Sequence, residues 1–115
     1  LKQYKVVSSH VSNYPDPIVL KKNQEVYYGE EDTQFPNWIF CKSITTGKKG
    51  WVPKQILTSP NTLGIAKVSK DYSAHELTID HGEILYGLEH LNDWTYCKTK
   101  SGEFGWIPTF CLSAI

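Results

Sequence analysis

Methionine is absent, cysteine is held to three residues, and 12 basic side chains are matched by 12 acidic ones for a formal net charge of zero. Each shortage excludes something. Without a basic excess the chain lacks the electrostatic footprint of a general binder of nucleic acid or of an anionic membrane. No stretch approaches the ~20 apolar residues of a membrane-spanning helix. Leu1 opens no secretory signal pattern. Because the chain begins at Leu and has no Met, it reads as a fragment or a processed product. There is no Cys-x-x-Cys pair and the four histidines have no ligand spacing, so neither a metal nor another cofactor is expected. Each histidine is expected at the surface or in a turn. No apolar run at helical spacing lasts ten residues.

What the chain does have is an internal repeat. Trp38-Ile39-Phe40-Cys41-Lys42-Ser43, followed by Gly50-Trp51-Val52-Pro53, returns as Trp94-Thr95-Tyr96-Cys97-Lys98-Thr99, followed by Gly105-Trp106-Ile107-Pro108. Pro17–Leu20 matches Glu76–Ile79, Asn23–Tyr27 matches Gly82–Tyr86, and Gln55–Leu57 matches Phe110–Leu112. The first copy carries three extra residues in the segment 31–37 and one around Gly47. Insertions confined to turn-like segments leave the strands as the constant part of the unit.

The pattern is β throughout, with short runs of Val, Ile, Tyr, Trp and Thr interrupted by turn residues. Segments 46–50 and 100–103 read as hairpin turns with glycine supplying positive φ. Pro53 and Pro108 each end a strand, with a short 3₁₀ turn expected beyond. Segment 58–64 is the only polar, Pro/Gly-bearing stretch between the copies and reads as the domain boundary. The expected domains are therefore 1–58 and 64–115. Each is small enough to bury only roughly 60% of its unfolded surface.

Alternation assigns Ile18, Leu20, Val26, Cys41, Val52 and Leu57 to the first core, and Leu77, Ile79, Leu85, Cys97, Ile107 and Leu112 to the second. Cys41 and Cys97 lie three residues after a tryptophan and face the opposite side of the sheet. Buried thiols in separate domains cannot meet, so all three cysteines read as reduced, which points to the cytoplasm. Cys111 is expected on the turn after Pro108, exposed and open to oxidation. By the same alternation the four indoles face outward.

Lys70-Asp71-Tyr72, Glu76–Ile79, His81–Leu85, Asp93-Trp94 and Gly105–Pro108 together resemble a Src homology 3 (SH3) domain. The first copy resembles it through Pro17–Leu20, Trp38, Gly50–Pro53 and Leu57. The resemblance implies an all-β fold, two tandem five-stranded barrels, and no catalysis. It also implies an aromatic groove that docks proline-rich peptides in the polyproline II form, whose backbone is ordered before binding. By the resemblance the groove residues are Trp38, Trp51 and Pro53, and Trp94, Trp106 and Pro108, with Tyr72 and Tyr14 as the second tyrosine of the family's Ala-Leu-Tyr-Asp-Tyr motif. The sequence departs from the family at Lys70 and at Ser12 or Asn13, where the first tyrosine belongs. It departs again at Ile56 and Cys111, where the last groove tyrosine belongs. These are degenerate proline pockets. Glu30, Glu31 and Asp32 in the first copy and Glu89 and Asp93 in the second form an acidic flank that suits an Arg or Lys on the ligand.

The expected function is a non-catalytic adaptor that binds a protein or peptide ligand, proline-rich with a basic residue, through two grooves whose avidity adds. The alternative is a bacterial cell-wall module that binds peptidoglycan, as bacterial relatives of this fold do. Balanced charge and reduced cysteines count against the alternative. An enzyme built on Cys111 and one of His10, His75, His81 or His90 would need a base held within hydrogen-bond reach, which nothing in the sequence forces.

Overall fold

The computed structural model describes residues 1–115. In chain order the strands are β1 (Lys2–Val6), β2 (Val19–Leu20), β3 (Glu25–Glu31), β4 (Trp38–Ser43), β5 (Lys49–Pro53) and β6 (Ile65–Lys67). There follow β7 (Tyr72–Ser73), β8 (Ile84–Leu91), β9 (Trp94–Thr99), β10 (Phe104–Pro108) and β11 (Leu112–Ala114). The only helical pieces are 3₁₀ turns at Lys54–Ile56 and Thr109–Cys111, each directly after the proline expected to end its strand. The fold is all-β.

The chain forms two compact units, but they do not follow the two repeats. One unit is Asp16–Ala74; the other joins Leu1–Pro15 to His75–Ile115. The spans 1–58 and 64–115 expected from the repeat therefore differ from the units that pack. Strands β5-β4-β3-β6 form one sheet of the 16–74 unit, with β2 and β7 paired beside it. Strands β10-β9-β8-β1-β11 form the sheet of the other unit. The opening strand of each repeat completes the barrel built from the rest of the other repeat.

The reason lies in segment 58–67. It is a hydrogen-bonded hairpin inside the 16–74 unit, not a linker between domains. The Thr58 N–H donates to the Lys67 carbonyl at 3.0 Å, and the Lys67 N–H returns to Thr58 Oγ1 at 2.9 Å. The Asn61 side-chain carbonyl accepts from the N–H groups of Leu63 and Ile65, at 2.9 and 3.0 Å. Gly64 takes φ +76°, which a residue with a Cβ resists. The hairpin lays Val68 beside Leu57, the last strand position of the first repeat. β6 then pairs with β3, with Val26 opposite Ala66. The site that the first repeat's own opening strand would occupy is filled. That strand, β1, pairs instead with β8 (Tyr4 opposite Leu85) and β11 (Val6 opposite Leu112).

Both cores obey alternation. Val6, Leu77, Ile79, Leu85, Cys97, Ile107 and Cys111 form one buried cluster, and Ile18, Leu20, Val26, Cys41 and Val52 are buried in the other unit. The expectation fails by one position at each 3₁₀ turn. Ile56 and Cys111 are buried, whereas Leu57 and Leu112 are half-buried, because the turn rotates the chain between its two strands. Cys111 is thus a core residue and not an exposed thiol. Burial raises its pKa, against a smaller lowering by a hydrogen bond from Ser8.

The glycine of each Gly-Trp pair has a packing cause. A Cβ on Gly50 would stand 2.7 Å from Ile18 Cγ2, and one on Gly105 would stand 2.8 Å from Leu77 Cγ. Each lets the returning strand of its unit cross close over the sheet. The three residues inserted in the first copy also find their place. The turn between β8 and β9 is Asn92-Asp93, both at positive φ as a type I′ hairpin requires. Its counterpart between β3 and β4 is a longer loop ending at Asn37, φ +72°.

Candidate functional site

In the unit Leu1–Pro15 with His75–Ile115, Trp94 opens β9 directly opposite Pro108 on β10. The tight Asn92-Asp93 turn delivers Trp94 to this edge. The Thr109 N–H donates to the Asp93 carbonyl at 2.9 Å and ties the 3₁₀ turn to it. His10 and the half-buried indole meet in a T-shaped arrangement, with ring centroids 5.7 Å apart and planes at 84°. His10 Nε2 lies 2.8 Å from Glu76 Oε1, and the two side chains are only 13% and 9% exposed. His10 is held by a two-way backbone bridge to Ile79. Glu76 is held because its segment runs alongside Trp106: the Leu77 N–H donates to the Trp106 carbonyl at 3.1 Å, and the Trp106 N–H to the His75 carbonyl at 2.9 Å. A histidine, a carboxylate, an indole and a proline converge here.

The backbone register identifies His10. Tyr72 pairs with Leu20, and His10 bridges Ile79. Leu20 and Ile79 are matched positions of the repeat, so His10, not Tyr14, occupies the place of Tyr72. Tyr14 lies at the end of the N-terminal arm, 46% exposed, ahead of Pro15. Sequence reasoning missed both His10 and Glu76. The signal was the dipeptide Lys5-Val6, which returns as Lys67-Val68 and puts the two opening strands in register without any gap.

In the unit Asp16–Ala74, Trp38 faces Pro53 across β4 and β5. Trp38 is 6% exposed, Tyr72 8%, and Pro53 is buried. The Tyr72 hydroxyl donates to the Trp51 carbonyl at 2.9 Å. The expectation of four outward indoles is therefore corrected: Trp38 and Trp106 are buried, and Trp51 and Trp94 are half-buried. Large rings on a small barrel are covered by their neighbours. Trp106 lies against Tyr96 at 5.0 Å, and Tyr96 stacks on exposed Phe104 at 6.2 Å. Trp51 meets Phe40 edge-on at 5.1 Å.

The acidic flank is partly committed to loop structure. The Glu31 carboxylate accepts the Asn37 N–H at 3.0 Å and the Lys54 ammonium at 3.2 Å. These contacts, the Asn37 bond first, hold its pKa below the usual carboxylate range. Asp32 Oδ1 accepts the Gln34 N–H at 3.1 Å. Glu30 and Asp93 are exposed, and Glu89 is half-buried. Burial, and after it the Glu89 charge, raises the Tyr96 hydroxyl.

Of the remaining histidines, His81 is exposed and His90 builds structure. His90 Nε2 is 2.9 Å from the Tyr4 hydroxyl and its Nδ1 is 2.8 Å from Thr95 Oγ1. Thr95 Oγ1 in turn lies 2.8 Å from Thr109 Oγ1, so this chain pins β1 to β8, β9 and the 3₁₀ turn. His75 stands 3.4 Å from Glu103 at the surface. The surface placement expected for every histidine fails at His10, which is nearly buried.

Comparison with known families is direct. The variant SH3 domain family matches residues 3–58, and the SH3 domain family matches residues 70–109. No curated protein and no solved structure matches. SH3 domains are protein-interaction modules without catalysis of their own. The two matches run along the two repeats, although each compact unit draws its opening strand from the other one. On its repeated sequence, its all-β barrel strands and these two matches, the chain belongs to the SH3 domain family and carries that domain twice.

Proposed function

We propose that the chain is a non-catalytic adaptor module whose working groove lies in the unit Leu1–Pro15 with His75–Ile115, centred on Trp94 and Pro108 and flanked by His10 and Glu76. The observation that carries this reading is the half-buried Trp94 in T-shaped contact with His10 beside the Glu76 carboxylate. An indole face accepts a proline ring, and a nearby carboxylate accepts a ligand Arg or Lys through a charge-assisted hydrogen bond. Asp93 and Glu89 lie on the adjoining turn and strand and add negative charge for the same residue. The ligand is a short protein segment, proline-rich with a basic residue. Pro53 and Pro108 are buried alike, but Trp38 and Tyr72 of the other unit are more covered than Trp94 and contribute less. Trp51 packs against Phe40 and Trp106 against Tyr96, away from this centre, and Tyr14 is exposed on the arm. Three free, buried cysteines support a reducing compartment such as the cytoplasm. No helix is long and apolar enough to cross a membrane.

Titration of the whole chain with an Arg-containing proline-rich peptide, followed by tryptophan fluorescence, tests the proposal. A saturable change that Trp94→Ala removes and Trp51→Ala retains is expected. No saturable change at ~1 mM peptide, in the weak range for a single groove, refutes it.

A further inference from the structure

We infer that this chain forms a closed dimer with a second copy of itself by exchanging the arm 1–15. The slot for β1 lies between β8 and β11, and both come from the segment 75–115. The arm reaches that slot only through the separately packed unit Asp16–Ala74. None of that unit's sheets includes β1, so release of the arm breaks no strand pairing within it. The slot reads the arm by features every copy shares. Tyr4 and Val6 are buried in it, the Tyr4 ring fills the space left by the missing side chain of Gly87, and the Tyr4 hydroxyl meets His90. Nothing in these contacts distinguishes an arm supplied in cis from one supplied by another chain.

The hinge favours exchange. Pro15 and Pro17 flank Asp16 at the crossing, fix their own φ and bias Tyr14 and Asp16 towards extended backbone. A hinge biased to extension disfavours tight return. Exchange is also reciprocal: each arm fills the other copy's slot, which closes the assembly as a twofold dimer with neither slot empty. Cis docking wins in dilute solution because arm and slot belong to one chain, which sets an effective concentration of roughly millimolar. The dimer therefore forms when chains refold near that concentration.

Two full-length variants test this, Gln3→Cys and Tyr86→Cys. Gln3 and Tyr86 are direct partners on β1 and β8, and paired antiparallel positions lie within disulfide reach. The native cysteines are buried and stay out of the reaction. The double variant is expected to close within one chain. An equal mixture of the single variants, refolded together at ~2 mM and then oxidised, is expected to give a crosslinked heterodimer, at least about tenfold less abundant after refolding at ~10 µM. The inference is overturned if the mixture stays monomeric while the double variant closes in cis, if dimers form without the 3–86 bond, or if the double variant fails to close.

Discussion

Val6→Ala isolates the exchange of opening strands. Val6 is fully buried in the cluster with Leu77, Ile79, Leu85, Cys97, Ile107 and Cys111. Its truncation removes two buried carbons at ~0.8 kcal/mol each and leaves a cavity, so the expected loss is about 2–3 kcal/mol. Size alone does not test topology, because an unexchanged barrel would bury the same side chain. The partner does. In the structure Val6 shares a core with Leu85, whereas a barrel confined to the first repeat would pack it against Val26. A double-mutant cycle measured by urea unfolding separates the two. Val6→Ala with Leu85→Ala is expected to show coupling of about 0.5–3 kcal/mol, and Val6→Ala with Val26→Ala to add within ~0.5 kcal/mol. The reverse pattern would falsify the strand exchange and with it the proposed groove.

Other consequences are as specific. Gly50→Ala forces a Cβ onto Ile18 and is expected to cost about 1–3 kcal/mol by thermal unfolding; a neutral result would mean the returning strand is not seated on β5. Tyr72→Phe removes the bond to the Trp51 carbonyl and should cost about 0.5–1.5 kcal/mol; no loss would place the hydroxyl in water. Burial pushes the Cys41 and Cys97 thiols up from 9.0 to about 11. The unfolded chain therefore releases these protons first, and stability should fall as pH rises from about 9 towards 11. Native-state alkylation at pH 8 should leave both unmodified until denaturant is added; rapid labelling would refute their burial.

The strands were legible because period-two alternation needs only neighbouring residues. Cys41 and Cys97 fell on the buried face as counted from Trp38 and Trp94, and the prolines at 53 and 108 marked both 3₁₀ turns. The proposed groove was legible in part. Trp94 and Pro108 stand opposite each other as the repeated motif implies, but Tyr14 was matched to Tyr72 where His10 belongs. A histidine in place of a tyrosine gives no compositional signal, and its pairing with Glu76 spans 66 positions of sequence. The indoles were placed outward by alternation alone, which tells the face of a ring and not what covers it.

Element type and order follow from local pattern, and so does the presence of two SH3 domains, because each copy writes its own strands and turns; the number does not, since the unit 16–74 holds six strands where five were expected. Which opening strand joins which barrel does not follow. β1 brings Tyr4 to a slot that Gly87 leaves open, and β6 brings Ala66 opposite Val26, a match of sizes that shows only once the strands are paired, so local pattern alone does not reveal it. The choice falls to chain closure: the short 58–67 segment satisfies its backbone by folding as a hairpin, commits β6 to the strands before it, and leaves β1 to complete the other barrel.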